Sequence, residues 1–313
     1  MKLRNRLLPG GRKKEFEDLG FGTKITDSVD RLINQNGSFN IERRGAWAWT
    51  PYQSLVEMSW SQFLLLILVF YVSVNLFFAA LHLLAGVEHI SGIASGHWLE
   101  DLGGAFFFSV QTFTTVGYGA MSPIGFLSNV IAAFCALVGL ISFALATGLV
   151  YARFSKPKAQ ILFSRKALIA PYNDGKSFQF RIVNRRSNKI INLTAKVTMT
   201  WVEHDRQGTR RRRFAGLPLE RDQVFMFPLN WTLVHPIGPD SPFYDLSQKD
   251  LEVRHVEVIV LIEGYDETFA QTVHASSSYT WEEIFWNTRF KPMYFDDRDG
   301  KTVLELDRID EVE

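Results

Sequence analysis

The stretch that decides the fold is Asp101–Gly119, DLGGAFFFSVQTFTTVGYG, which lies between two long apolar runs. Its apolar part, Leu102–Phe113, is long enough for a helix of about 18 Å, roughly half of a bilayer. The glycines that follow permit backbone conformations that a helix cannot contain. Non-helical backbone is stable at membrane depth only inside protein or along a water-filled path. These residues therefore predict a re-entrant loop between two membrane spans.

Both flanking runs are long enough to cross a bilayer. Trp60–Leu84 has 25 residues and Pro123–Tyr151 has 29, and neither contains Asp, Glu, Lys or Arg. They reach about 37 and 43 Å, against a hydrocarbon core of about 30 Å. Ser122 followed by Pro123 predicts the start of the second helix, because a hydroxyl caps the helix and proline suits its first position.

Composition also places the chain in a membrane. Lys and Arg are absent from residues 45–152, so all 34 lie outside a stretch of 108 residues. A soluble domain must solvate its surface and has no reason to exclude basic residues over such a length. The net charge of +1 gives no indication of a nucleic-acid partner. The single cysteine, Cys135, excludes an intrachain disulfide and lies in an apolar run, where a core position is expected.

Basic residues flank the apolar part on its outer sides only. The segment between the spans, residues 86–122, has none, whereas basic residues precede the first span and follow the second. The positive-inside rule therefore predicts that both termini are cytoplasmic.

The motif Thr115-Val116-Gly117-Tyr118-Gly119 is the sequence of a potassium selectivity filter. The carbonyl oxygens of Thr115, Val116, Gly117 and Tyr118, with the Thr115 hydroxyl, would replace the water around a K⁺ ion. Gly117 and Gly119 permit the left-handed conformations that direct carbonyls to one axis. One chain supplies one wall of such a filter, so a homotetramer is expected. A glycine-rich turn is the alternative, and the position between two spans favours the filter.

The resemblance extends well beyond this motif. The order of elements is similar to the inward-rectifier potassium channel family, closest to its prokaryotic branch. Four segments carry it: YARFSKPKAQILFS (151–164), NWTLVHPIGPDSPFYDLS (230–247), VEVIVLIEGYDETFAQTVHASSSY (256–279) and EEIFWNTRF (282–290). The resemblance implies an α-helical two-span pore domain with a re-entrant pore helix and filter, followed by an all-β immunoglobulin-like sandwich in the cytoplasm.

The expected domain organisation follows from these features. It comprises a cytoplasmic N-terminal segment (1–42), an interfacial slide helix (43–59), a transmembrane pore domain (60–152) and a cytoplasmic β-sandwich (153–313). Within the pore domain the parts are a span (60–84), the pore helix (102–113), the filter (115–119) and a second span (123–151). Thr50, Pro51 and Gln53 form a capping-box sequence that predicts a short helix from Pro51 to about Ser59. An ordinary lead-in to the span is the alternative.

The C-terminal half shows the pattern of a β-sandwich. Apolar residues alternate along residues 191–201 and 256–262, as in strands with one buried face. Asp299-Gly300 predicts a hairpin turn. A capping box at Thr280 and Glu283 predicts a helix over Trp281–Asn287. Arg210–Arg213 is expected in a solvated loop between strands.

The resemblance also implies gating residues. Gly139 matches the hinge of the family, with close helix packing as the alternative. Phe143 aligns where eukaryotic inward rectifiers place an acidic or polar residue that attracts blocking polyamines, and Tyr151 would form a second, more polar ring near the cytosol. The turn from Tyr265 to Gln271 resembles the cytoplasmic constriction of the family, which would narrow near Ala270. An apolar ring of Phe143 would stop ions by dewetting, unless this side chain packs against a helix or lipid. No acid occurs from Gly103 through Tyr151, so weak rectification is expected.

Two further departures from the family lie near the filter. Gln111 replaces a glutamate that many relatives place behind the filter, and Met121 replaces its arginine partner. The ion pair that braces the filter in those relatives is therefore not expected here.

Basic residues near the spans have two open interpretations. They either set orientation alone or bind anionic lipid headgroups that bias the gate, at about 1 kcal/mol each. The residues concerned are Arg43, Arg44, Arg153, Lys156 and Lys158.

The function expected is a tetrameric potassium-selective channel of inward-rectifier type in a bacterial inner membrane, without a cofactor other than K⁺ and anionic lipid. A weakly selective cation channel and a membrane-tethered binding protein are the alternatives. The sequence has no span with repeated arginines, so a voltage-gated channel is excluded. The seven histidines are scattered without an HExxH, GxSxG or Walker pattern, so an enzyme is not expected.

Overall fold

The computed structural model describes residues 15–16, 20, 31–42, 44–45, 50–93, 96–156, 159–204 and 209–313. The chain divides into two compact units. We call residues 45–156 the membrane unit, and the described residues before and after it the β unit.

Four helices form the described part of the membrane unit: α1 (Pro51–Glu57), α2 (Trp60–Ala85), α3 (Trp98–Phe113) and α4 (Gly125–Phe154). α2 and α4 are each long and apolar enough to cross a membrane, which agrees with the two predicted spans. α3 is the predicted short helix. It begins at Trp98 rather than Leu102, because Glu100 and Asp101 lie in its first turn, where the helix dipole favours acids.

Two predicted helix boundaries are wrong. Thr50 makes no side-chain capping bond, and α1 ends at Glu57 because Ser59 caps α2 instead, in a reciprocal box with Gln62. Ser122 and Pro123 do not start α4. They pair with Ile90–Ser91, and α4 begins at Gly125. Cap-type residues precede both helices, but Thr50 makes no capping bond, and Ser122 and Pro123 pair with another strand instead.

The membrane unit is held together by small apolar clusters between its helices. Phe78 of α2, Phe113 of α3 and Cys135 of α4 form one of them, so Cys135 is the core residue expected from the sequence. Much of the remaining apolar surface of α2 and α4 is exposed in the single chain.

The strands of the described residues are, in chain order, β1 (Glu15–Phe16), β2 (Ile90–Ser91), β3 (Ser122–Pro123), β4 (Ile161–Phe163), β5 (Ala167–Tyr172), β6 (Gly175–Asn184), β7 (Ile190–His204), β8 (Arg210–Gly216), β9 (Gln223–Met226), β10 (Asn230–Ile237), β11 (Glu257–Asp266), β12 (Gln271–Thr280), β13 (Ile284–Trp286), β14 (Tyr294–Asp296) and β15 (Thr302–Leu304). A short helix, α5 (Gln248–Val253), precedes β11.

Two sheets make up the β unit. The six-stranded sheet has the order β1-β8-β7-β11-β12, with β9 paired to β7. The five-stranded sheet has the order β10-β6-β5-β13, with β4 paired to β6. Phe178 and Phe180 of β6 share one buried core with Met199 of β7 and Val258 of β11. This packing of two largely antiparallel sheets agrees with the predicted sandwich.

The alternation predicted along the two central strands is largely confirmed. Val256, Val258, Val260 and Ile262 are all buried. Along β7 the inner residues from Leu193 to Met199 are buried, whereas Ile191 and Trp201 are only half-buried. A left-handed Asn192 interrupts the period next to Ile191.

Two local predictions for the β unit are wrong, and one is confirmed. Residues 281–287 do not form an α-helix, because one 3-10 turn (Trp281–Glu283) is followed directly by β13, which pairs with β5. Arg210–Arg213 is not a loop but the first part of β8. Gly300, with φ of 72°, does lie in the turn between β14 and β15.

Candidate functional site

The filter motif directly follows the C-terminal end of α3. Thr115, Gly117 and Gly119 have positive φ values of 58°, 52° and 81°, whereas Val116 and Tyr118 between them do not. Alternation of this kind turns successive peptide groups toward the same side of the chain. The glycines supply it as predicted. The left-handed conformation of Thr115 was not predicted, because its sequence carries no signal for it.

The last turn of α3 holds the filter through one residue. The carbonyl of Gln111 accepts hydrogen bonds from the N–H of Val116 at 2.9 Å and of Gly117 at 3.3 Å. Its side-chain Oε1 accepts a third from the N–H of Tyr118 at 3.3 Å. Gln111 is buried, so water does not compete for these bonds. A neutral amide therefore braces the filter.

Met121, two residues after the filter motif, makes an apolar contact. It packs against the cluster formed by Ile90, Phe108 and Ala132. The residues that the sequence analysis identified as departures from the family thus replace an ion pair by one hydrogen bond and one apolar contact.

The filter side chains are exposed in the single chain. Tyr118 is 83% exposed and Val116 is 52% exposed. The Thr115 hydroxyl donates to the Thr114 carbonyl at 2.7 Å, which leaves its oxygen free to accept or to coordinate. A cavity of about 350 Å³ lies beside the filter, lined by Phe107, Val110, Gln111, Thr114, Val116, Tyr118, Ala120 and Met121.

Gly139 is where α4 crosses the end of α3. A Cβ atom at this glycine would lie 2.0 Å from the carbonyl oxygen of Phe113. Gly139 also belongs to a buried stripe of small residues on α4, with Ser128, Ala132 and Cys135. Close helix packing, the alternative considered for Gly139, is therefore present. α4 is continuous through this residue.

Phe143 and Tyr151 lie farther along α4, outside that buried stripe. Each is 73% exposed. At 3.6 residues per turn their directions differ by about 80°, so the two rings project into one quadrant of the helix surface.

Ala270 lies in the turn between β11 and β12. It is exposed and has a φ of 50°. The turn, residues 267–270, is shorter than the predicted span from Tyr265 to Gln271, because Tyr265 and Asp266 still pair in the sheet.

The basic residues at the end of α4 contact α1. The Arg153 guanidinium donates to the carbonyls of Leu55 and Met58, the latter at 2.7 Å, and stacks on the rings of Trp60 and Phe63. Lys156 Nζ lies 2.9 Å from Glu57 Oε1 in a half-exposed ion pair.

Of the other three basic residues predicted to contact lipid, one lies within the described residues. Arg44 pairs with Glu42 at 2.8 Å and is exposed. Arg43 and Lys158 lie outside the described residues.

Two family models match the chain. One, described as the inward rectifier potassium channel C-terminal domain, matches residues 161–313, and the other, described as ion channel, matches residues 63–156. Inward rectifier potassium channel Kirbac3.1 of Paramagnetospirillum magnetotacticum is 36% identical over 295 residues, which cover 93% of this chain and 98% of that protein. The chain belongs to the inward rectifier potassium channel family.

Mammalian inward rectifiers match over a smaller part. Inward rectifier potassium channel 4 of Homo sapiens and of Mesocricetus auratus are each 31% identical over 210 residues, 62% of this chain and 46% of each relative. Among solved structures, Spo0M of Bacillus subtilis matches with a TM-score of 0.24 and 14% identity, over 42% of this chain and 50% of its own.

Membership of this family fixes the broad class of the chain. As an inward rectifier, it is an integral membrane protein that forms an ion channel and is not an enzyme. The two apolar helices α2 and α4 are its spans.

Proposed function

We propose that four copies of this inward rectifier surround one K⁺-selective pore, which is gated by the β unit and by membrane lipid and rectifies weakly. The observation that carries the proposal is the alternating backbone of residues 115–119, braced by Gln111. Rings of carbonyl oxygens from such a backbone replace the hydration shell of K⁺.

Exposure of the filter supports a tetramer. Tyr118 is 83% exposed and Phe107 on α3 is 63% exposed in the single chain, although both belong to the membrane unit. The carbonyl oxygens of one chain can lie on only one side of an ion and cannot surround it. Three further copies complete the ring of oxygens and cover these aromatic side chains.

The proposed gate lies on α4. Phe143 and Tyr151 are exposed in one chain, as expected for residues that face a central axis. Four phenylalanine rings would make an apolar constriction that stops ions by dewetting. The turn that contains Ala270 would form a second constriction in the β unit, and Gly139 would permit α4 to bend.

Weak rectification is supported by what α4 lacks. The described residues from Gly103 through Tyr151 contain no acidic side chain. Internal polyamines therefore find no carboxylate in the membrane part of the pore, and outward current should not be strongly blocked.

We further propose that both termini are cytoplasmic and that the channel lies in the inner membrane of a bacterium. The basic flanks support this orientation, and a bacterial relative matches nearly the whole chain. Arg43, Arg44, Arg153, Lys156 and Lys158 would then face anionic headgroups. Arg153 would also join α1 to α4, since its guanidinium already contacts two carbonyls of the α1 region.

The experiment that tests the proposed function is ion flux in liposomes. The purified full-length protein is reconstituted with a K⁺ gradient, and uptake of a K⁺ tracer is followed. The account predicts K⁺ uptake in the wild type and a tetramer by native mass spectrometry. Equal uptake of Na⁺ would indicate a weakly selective cation channel, and no uptake a tethered binding protein.

A further inference from the structure

His82 is a buried histidine of the membrane unit that has no part in the filter itself. It lies in the last turn of α2 and is 1% exposed. Its Nε2 atom has no hydrogen-bond partner among the described residues. A buried imidazole nitrogen without a partner is unusual, because a polar group that leaves water normally gains a hydrogen bond in exchange. Packing alone therefore does not account for a histidine at this position.

The ring of His82 packs against α3. It meets the ring of Phe108 edge to face, with the two centroids 5.0 Å apart and the planes at 74°. Phe108 is itself buried, in the cluster that it forms with Ile90 and Ala132. A neutral imidazole suits this apolar contact, whereas an imidazolium in the same place would lose its hydration without gaining an acceptor. The contact between α2 and α3 thus depends on the charge of His82.

Phe108 connects this contact to the filter. It lies three residues before Gln111 on α3, and residues at this spacing are neighbours on one side of a helix. Gln111 accepts hydrogen bonds from three consecutive N–H groups of the filter motif, as described above. A change in the packing of Phe108 therefore occurs one helical turn away from the residue that holds the filter backbone.

The end of α2 offers a second position for a charged His82. The helix ends at Ala85, and the free carbonyl groups of a last helical turn favour a cation. The first turn of α3 contains Asp101, whose Oδ1 is buried and also lacks a partner within the described part of the chain. The two helices run antiparallel, since Phe113 at the end of α3 packs against Phe78 of α2, so these two helix ends lie on the same side. Protonation should therefore move the side chain toward this end.

The charges around α2 favour the same movement. The titratable and charged groups of α2 and of the elements packed against it are Tyr71 of α2, Glu88 and His89 of the turn after it, Glu100 and Asp101 of α3, and Cys135, Tyr151 and Arg153 of α4. In the described part of the membrane unit, none of them forms a hydrogen bond or an ion pair with His82. Arg153 lies at the opposite end of α2, against Trp60. The three carboxylates lie at the end that contains His82, so a charged imidazole is attracted away from Phe108.

We propose that His82 is a proton-operated switch that acts on the filter. Neutral His82 supports α3 through Phe108, whereas protonated His82 leaves this contact, so that acid reduces K⁺ conduction. This inference rests on the proposed K⁺-conducting function. It assigns a regulatory role to His82 and the role of a positioning residue to Phe108.

Two variants of the full-length channel test the proposal by a pH profile. His82→Phe keeps an aromatic ring against Phe108 but cannot be protonated, and His82→Gln keeps a polar side chain that does not titrate. His89→Gln is the matched control, because His89 is an exposed histidine in the turn that follows α2. K⁺ current is recorded in planar bilayers from about pH 8 to about pH 5 on both sides, a range that contains the ordinary titration of histidine.

The wild-type and His89→Gln channels should lose K⁺ current by about tenfold over this range, the size typical of coupling between two sites, whereas both His82 variants should change by less than about twofold. A wild-type current that does not depend on pH would overturn the proposal, as would a His82→Phe channel that loses current as the wild type does. If His82→Phe does not assemble, His82→Gln decides by the same criteria. A wild-type protein without K⁺ current at any pH would contradict the proposed function, and this inference with it.

Discussion

The side chain of Gln111 and the backbone of Tyr118 are joined by a hydrogen bond of 3.3 Å, in which the amide oxygen accepts from the N–H. With the two bonds to its carbonyl, Gln111 fixes three consecutive peptide groups of the filter. In this inward rectifier an uncharged residue on the last turn of α3 thus holds the backbone of the filter motif.

Removal of this brace should weaken selectivity. In Gln111→Leu the Tyr118 N–H loses its partner, at a cost of about 1–3 kcal/mol. We expect selectivity for K⁺ over Na⁺ to fall by about tenfold, measured as relative permeability in bilayers. Gln111→Glu keeps an acceptor and is the control. A Gln111→Leu channel with wild-type selectivity would show that the brace is dispensable.

The filter backbone itself should not tolerate a side chain at Gly117. This residue has a φ of 52°, and a Cβ in the left-handed region costs about 1–2 kcal/mol. Gly117→Ala should therefore lose K⁺ selectivity or conduction while the tetramer still assembles, as measured by flux and native mass spectrometry. Selective flux like that of the wild type would refute the assignment of the filter.

Two glycines of α4 differ in how closely other atoms pack against them, and alanine substitutions at the two should therefore change stability in opposite directions. Gly139→Ala places a methyl group 2.0 Å from the Phe113 carbonyl oxygen, so we expect a loss of about 1–3 kcal/mol in stability from overpacking. Gly148→Ala meets nothing within 4 Å and should gain up to about 1 kcal/mol from helix propensity. Thermal unfolding in detergent compares the two variants. Equal stability would argue against close packing at Gly139.

The gate prediction concerns Phe143. If its ring lines the pore, Phe143→Ala should raise open probability and Phe143→Asp should create block by internal polyamines. Accessibility is measured with Phe143→Cys and internal thiol reagents, with the wild type as control, because its Cys135 is fully buried. If the internal thiol reagent does not change the current of the open Phe143→Cys channel, residue 143 does not line the pore.

The lipid prediction concerns Lys156 and Lys158. If they contact headgroups, Lys156→Gln with Lys158→Gln should shift the dose–response curve for anionic lipid without a change in selectivity. Since Lys156 also pairs with Glu57, Glu57→Gln is the control for loss of that ion pair. An unchanged dose–response curve in the double variant would indicate that these residues only set the orientation of the chain in the membrane.

The spans, the short helix α3, the positive-φ glycines of the filter motif and the sandwich could all be predicted from the sequence, since each depends on a long or distinctive pattern. The errors occurred where tertiary contacts override a local signal. Arg210–Arg213 was expected in a loop because four like charges favour solvent. In β8, however, alternation points Arg212 inward, where Glu257 supplies a buried counter-charge from a distant strand.

The same reason explains the errors at shorter motifs. The capping box of Thr280 and Glu283 is present, since the Thr280 N–H donates to Glu283 at 3.0 Å. The helix it predicted stops after one turn because residues 284–286 pair with β5. At the candidate site, the glycines of the filter were predictable, whereas the packing of Gly139 against Phe113 depends on a helix crossing that the sequence does not reveal.

The most direct test of the central claim is the reversal potential of the reconstituted wild-type channel between K⁺ on one side of a planar bilayer and Na⁺ on the other. The account predicts a reversal potential close to that of a K⁺ electrode, with the residual Na⁺ permeability set by the filter of residues 115–119. A reversal potential near zero, or the absence of current under every lipid composition tried, would contradict a K⁺-selective pore.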